Sequence, residues 1–160
     1  MPRLVYRYLL SREVAKGDRE MAIERPELLE FIRAHPLGVV STTSANGAPE
    51  AALVNLASTD ELELIFYTLQ TTRKCINLRR DPRIAVVIGW DNQTTMQYEG
   101  VANEPRDEEL EHLKRIYRAA RPNAEFQMSW PGLTYFRVRP NWIRLSNYGP
   151  RWSLEEMSFP

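Results

Sequence analysis

The sequence predicts a mainly β (α+β) fold, with about six or seven short antiparallel strands curled into a barrel and helices at the crossovers. The first of three observations behind this is a series of short apolar runs bounded by turn signals: LGVVSTT, EAALVNLAS, LELIFYT, RIAVVIGW, TTMQYEGVANE and LTYFRVRPNWIRLSNY. The second is Asn46-Gly47, a strong hairpin dipeptide between the first two runs. The third is the lack of a regular strand–helix–strand repeat, which disfavours a parallel doubly wound sheet. So many strands in 160 residues point to closure, because a closed sheet hides its edges.

Each element follows from local pattern. RPELLEFIRAHP puts Leu28, Leu29, Phe31 and Ile32 on one side of a short helix, with Pro26 near its start, His35 as its C-cap and Pro36 ending it. LGVVSTT and EAALVNLAS form the hairpin, and STDE turns into LELIFYT. A short helix over 72–80 interrupts the meander before RIAVVIGW resumes it. DNQ turns into TTMQYEGVANE, a long strand predicted to bend at Gly100. PRDEELEHLKRIYRAARP is a helix opened by acids at 107–109, with Leu110, Leu113, Ile116 and Tyr117 as its apolar stripe. LTYFRVRPNWIRLSNY is expected as two strands hinged at Pro140-Asn141, and the GPRW tail as a segment reaching a partner chain or a loose end.

Composition narrows the function classes. Lys and Arg total 21 against 21 Asp and Glu, so no net positive charge is available for a nucleic-acid backbone or an anionic membrane. The single cysteine, Cys75, permits no internal disulfide and reads as a small buried hydrophobe; a reducing cytoplasmic setting is expected. With His35 and His112 the only histidines, no metal site is expected. The first 20 residues lack a signal peptide's apolar core and read as an N-terminal extension ahead of a domain spanning 21–160.

The stretch IFYTLQTTRKCINLRRDP, 65–82, carries the chemistry. A strand ends at Tyr67-Thr68, and a helix begins with Thr72, Arg73 and Lys74 on its first turn. Cations at the positive end of a helix cost stability unless an anion binds there. Free amides, a hydroxyl, a bidentate guanidinium and an ammonium suit a phosphate. A solvated basic turn has the same local sequence, so the pattern alone leaves both readings open.

FYTLQTTRKCINLRRDPRIAVVIGW, followed in order by Trp90, QYEGVA, YRAARP and RVRPNWIRL, resembles the pyridoxamine 5'-phosphate oxidase-like family of FMN-binding split barrels over residues 26–148. The resemblance implies a split β-barrel over 21–160 that binds FMN at a homodimer interface. It implies phosphate binding by Arg73 and Lys74, with Thr72 in the place of the family's usual serine. Tyr67 and Thr68 match positions along the ribityl chain and flavin ring, and Gln97 lies two residues from a flavin-facing glutamine of the family. Tyr117 and Arg121 match a pair that holds a substrate phosphate, with Glu125 where a serine is expected.

Two departures qualify the resemblance. The family's second strand carries an arginine that reaches the phosphate, whereas EAALVNLAS offers alanines, leaving the site one cation short. The family's Arg-x-His pair is replaced by Trp142 and Arg144, which counts against pyridoxamine phosphate oxidation itself. The expected function is a flavin-dependent oxidoreductase of a small molecule, its substrate and electron donor unassigned. Alternatives are a deazaflavin-dependent reductase, since NLRRDPR occurs in such relatives, and a non-catalytic flavin or haem carrier. Trp90, Trp130, Trp142 and Trp152 are candidates for shaping the pocket or for the core.

Overall fold

Strands form wherever the predicted runs lie, and they join into one antiparallel sheet. The computed structural model describes residues 23–150 and 152–160. The chain runs α1 (Arg25–Ala34), β1 (Leu37–Thr43), β2 (Pro49–Asn55), β3 (Ala57–Ser58), β4 (Leu64–Leu69), α2 (Arg73–Arg80), β5 (Arg83–Ile88) and β6 (Thr94–Asn103). It continues through α3 (Asp107–Ala120), a 3-10 turn at Pro122–Ala124, α4 (Glu125–Met128), β7 (Leu133–Asn147) and β8 (Ser153–Ser158). The sheet has 8 strands in the order β2-β1-β5-β6-β7-β4-β3, with β8 also on β7. Its two ends, β2 and β3, are consecutive in the chain and separated only by Leu56, so the sheet curls back on itself. The predicted curled antiparallel sheet is therefore observed; the extra strand is β8, and EAALVNLAS divides at Leu56 into β2 and β3.

The core lies inside the curl. Val40, Val54, Leu64, Phe66, Ile84, Val86, Ile88, Met96, Tyr98, Val138 and Ile143 alternate inward along their strands. Leu28 and Ile32 of α1, 0% and 1% exposed, join the same cluster, and burying each is worth roughly 2–3 kcal/mol. Cys75 and Leu78 seat α2 on that core, and α2 lies against β1 and β6. Asn46-Gly47 makes the predicted turn, with Gly47 at φ 84°. A second, smaller cluster lies on the outer face, where Leu113 and Tyr117 of α3 cover Ala57, Ile65 and Tyr135.

The C-terminus differs from expectation in two respects. β7 is one continuous strand, because β4 pairs with it from Leu133 to Val138 and β6 from Arg137 to Asn147, holding the Pro140-Asn141 hinge as a bulge. Glu99 pairs with Trp142 and Gly100 with Pro140, leaving Asn141 as the extra residue. Here glycine is required, since a Cβ on Gly100 would lie 2.2 Å from the Arg139 carbonyl oxygen. The residues that follow the GPRW tail add a strand the sequence reading lacked: β8 pairs with β7 in register from Trp142–Ser158 to Asn147–Ser153. The predicted extension 1–20 lies outside the described residues.

Candidate functional site

Strand β4 ends at Leu69 and the chain turns directly into α2, with the Thr72 amide and hydroxyl both donating to the Leu69 carbonyl, at 3.1 and 2.9 Å. The hydroxyls of Thr68 and Thr72 are 2.9 Å apart. Because Thr72 spends its hydroxyl on Leu69, α2 has no side-chain cap. Among the described residues, no acceptor meets the amides of Arg73, Lys74 and Cys75. The structure thus gathers Thr68, Thr72, Arg73 and Lys74 at one mouth.

The two cations of that mouth differ. Arg73 is solvent-exposed and pairs with Glu50 of β2. Lys74 is half-buried and, among the described residues, has no carboxylate within ion-pair distance. Its pKa is lowered, because burial penalises the ammonium. Cys75 is fully buried, and burial raises its thiol pKa, as befits a packing residue.

Glu50 went unrecognised in the sequence. The second strand does present a side chain to α2, and it is this acid rather than a cation. Its second oxygen accepts from Asn77 Nδ2 at 2.9 Å, and the same amide nitrogen donates to Thr42 Oγ1 at 3.0 Å. Glu50 opens β2 just after the Asn46-Gly47 turn, and a strand from a tight hairpin presents alternate residues to one face. That alternation was the only available signal.

Tyr67 and Thr68 are neighbours in sequence but face opposite sides of β4. Thr68 points toward the α2 mouth; Tyr67 points outward into an aromatic group under α3. Its ring lies 5.2 Å from Tyr117 and 5.5 Å from Tyr135. Among the described residues, the hydroxyls of Tyr117 and Tyr135 and the Nε of Arg121 are buried without a hydrogen-bond partner. Burial raises the pKa of Tyr67 and of Tyr117, and pushes Tyr135 up to about 12. Burial also lowers that of Arg121, whose other nitrogen donates to the Ala120 carbonyl at 2.8 Å. Tyr117 and Arg121 do share the C-terminal end of α3, as their spacing predicts.

Gln97 is exposed on the outer face of β6, between Val87 and Arg144. Arg144 and Tyr135 are separated by roughly 25–30 Å of β7, at about 3.3 Å per residue. One chain therefore does not bring Gln97 and Tyr67 together. Trp90, Trp130 and Trp152 are exposed, so they are not core residues. Trp142 and Arg144, in place of the Arg-x-His pair, are tied to Glu156 of β8: the indole donates at 3.4 Å and the guanidinium at 2.7 Å. Among the described residues no group of His, Cys, Asp or Glu is arranged to hold a metal ion, and no helix is long and apolar enough to cross a membrane.

Comparison with known proteins agrees with this architecture. A protein of Rubrobacter xylanophilus named pyridoxine/pyridoxamine 5'-phosphate oxidase is 30% identical over 93 residues, covering 58% of this chain and 41% of that protein. A Thermobifida fusca protein of the same name is 35% identical over 94 residues, covering 58% and 40%. The chain thus spans about two fifths of the length of these curated relatives. Among solved structures, a heme binding protein from Mycobacterium smegmatis superposes with a TM-score of 0.72 at 19% identity, covering 85% of this chain and 58% of that one. General Stress Protein 26 from Bacillus anthracis superposes at 0.66 and 18% identity, covering 84% and 98%. These structural likenesses speak for the fold alone. The family model described as Pyridoxamine 5'-phosphate oxidase matches residues 25–147, from the first residue of α1 to the last of β7. With α1 through β7 matched in this way, the chain belongs to the pyridoxamine 5'-phosphate oxidase family.

Proposed function

We infer that the chain binds FMN at the α2 mouth, as one half of a homodimeric site, and acts as a flavin-dependent oxidoreductase of a small molecule. The observation that carries this reading is Lys74. A half-buried ammonium without a carboxylate partner is unfavourable. Here it stands beside the unpaired amides of Arg73, Lys74 and Cys75, which a phosphate would satisfy together with it; Thr68 and Thr72, already bonded to each other and to Leu69, would turn their hydroxyls to join. That donor set fits the terminal phosphate of FMN, with Thr68, Thr72, Arg73 and Lys74 as its ligands. Glu50 is the one group named here that works against it.

The outer face of the sheet supports the dimer. Leu53, Val39, Val87 and Gln97 form one cross-strand row, with Ala51, Ser41 and Ala85 in the next. Leu53 is 57% exposed and Val87 39%, an unusual surface for aliphatic side chains in a row. A second copy covering the row would bury Gln97 at its edge. Gln97 of one subunit could then serve the flavin held by its partner, which a single chain forbids.

Bound FMN would supply hydride and electron transfer. The chain's part is to anchor the phosphate at the α2 mouth, while Tyr67, on the opposite face of β4, lines the aromatic group where Tyr117 and Arg121 would receive substrate. The unpartnered polar atoms of that last pair favour a ligand with acceptor oxygens. Trp142 and Arg144 do not restore an Arg-x-His pair, which counts against pyridoxamine 5'-phosphate as the substrate. The test is mass spectrometry of the small molecule that co-purifies, with parallel fluorescence titrations of FMN and a deazaflavin. Micromolar or tighter FMN binding is expected. A protein indifferent to FMN ends the reading, while selective deazaflavin or haem binding transfers it to that cofactor.

A further inference from the structure

Within the Glu50–Arg73 pair the acid is the anchored member. The Glu50 side chain is 15% exposed and the Arg73 side chain 80%. Asn77, 6% exposed, donates to the carboxylate from beneath at 2.9 Å, and the same amide is itself fixed by a 3.0 Å bond to the hydroxyl of Thr42, 4% exposed. The guanidinium is the mobile partner and has come to the acid. An incoming phosphate dianion therefore has to draw Arg73 away from a fixed carboxylate, or bind with that negative charge close by. Either route weakens the grip on the phosphate and leaves the grip on an uncharged ring and sugar-like chain untouched.

We propose that Glu50 is the specificity-determining residue of this site: by competing for Arg73 it suppresses the contribution of a terminal phosphate, so that phosphorylated and unphosphorylated flavins bind with similar strength. The proposal rests on the flavin reading above and refines it. Asn77 is part of the device, since its amide keeps the acid pointed at α2 rather than into solvent. Glu50→Gln removes the charge while retaining an oxygen that can accept from Asn77.

The experiment compares the unmodified chain with Glu50→Gln by titrating FMN and riboflavin, and by following thermal stability in added inorganic phosphate. Glu50→Gln is expected to bind FMN about tenfold more tightly, with riboflavin affinity unchanged. Adding Arg73→Ala to Glu50→Gln should erase that gain, because the two side chains act through each other. A purely structural Glu50 would instead shift both flavins together. Equal FMN affinity in the two proteins overturns the proposal and leaves flavin binding intact. If neither protein binds either flavin, the flavin reading falls, and phosphate decides: greater stabilisation of Glu50→Gln sustains the role of Glu50, equal stabilisation ends it. Should Glu50→Gln fail to fold, Glu50→Ala is read against the same outcomes.

Discussion

Lys74 and Arg73 sit side by side yet should respond differently to mutation. Replacing Lys74 with Met removes a half-buried charge while keeping a similar shape. The flavin-free protein should then gain thermal stability, by only about 1–3 °C because solvent screens part of the cost. Its FMN affinity should fall by about tenfold or more. Arg73→Ala should weaken FMN far less, because Glu50 already holds the guanidinium, and should leave the melting temperature nearly unchanged, since that guanidinium is exposed. Scanning calorimetry with a flavin titration separates the two. Tyr98 is a contrasting case, with no part in the site. Its buried hydroxyl donates to the carbonyls of Val138 at 2.9 Å and Leu62 at 3.1 Å, tying β6 and β7 to the turn before β4. Tyr98→Phe orphans both acceptors and should cost about 1–3 kcal/mol in urea unfolding, with FMN affinity intact.

Strand β6 and helix α3 show how elements set what single residues cannot. The bulge at Glu99/Gly100 lets β7 stay paired through Pro140, and it depends on the missing side chain at Gly100. Gly100→Ala would press a methyl onto the Arg139 carbonyl and should cost about 2–4 kcal/mol, read as a lower urea midpoint. Helix α3 lays Tyr117 against Tyr67 and Tyr135 of the sheet, and the pKa values of all three are raised, chiefly by burial. Tyrosine in the unfolded chain ionises near 10.0, whereas folded Tyr135 holds its proton to about 12. The folded state therefore binds more protons between those values, and stability falls as pH rises from 10 toward 12. Tyr135→Phe should flatten this alkaline loss, measured as melting temperature at pH 9 against pH 11.

For the molecule as a whole, the apolar row on β2, β1 and β5 makes oligomeric state and cofactor binding a single question. Val87→Lys places a charge in the centre of that row, between Val39 and Gln97. It should shift sedimentation toward the monomer and weaken FMN, while far-ultraviolet circular dichroism stays that of the parent. Full FMN affinity in a monomeric Val87→Lys protein would contradict a site shared between subunits.

Much of this fold was legible because its signals are local. Alternation marks the barrel strands, Asn46-Gly47 marks the hairpin, and the threonines and cations before Cys75 mark the α2 mouth. Each depends on residues within a turn or a strand of one another. Strand β8 escaped notice because SLEEMS has no second apolar face of its own and becomes a strand only by pairing with β7. Glu50 escaped for a related reason: its partners Arg73 and Asn77 lie 23 and 27 residues away, and only the curl of the sheet brings β2 onto α2. Tyr67 and Thr68 part company because successive strand residues face opposite sides. Residue type and short-range periodicity thus specify which elements form. Which charges meet, and which side chain of β2 faces the start of α2, is settled by long-range closure.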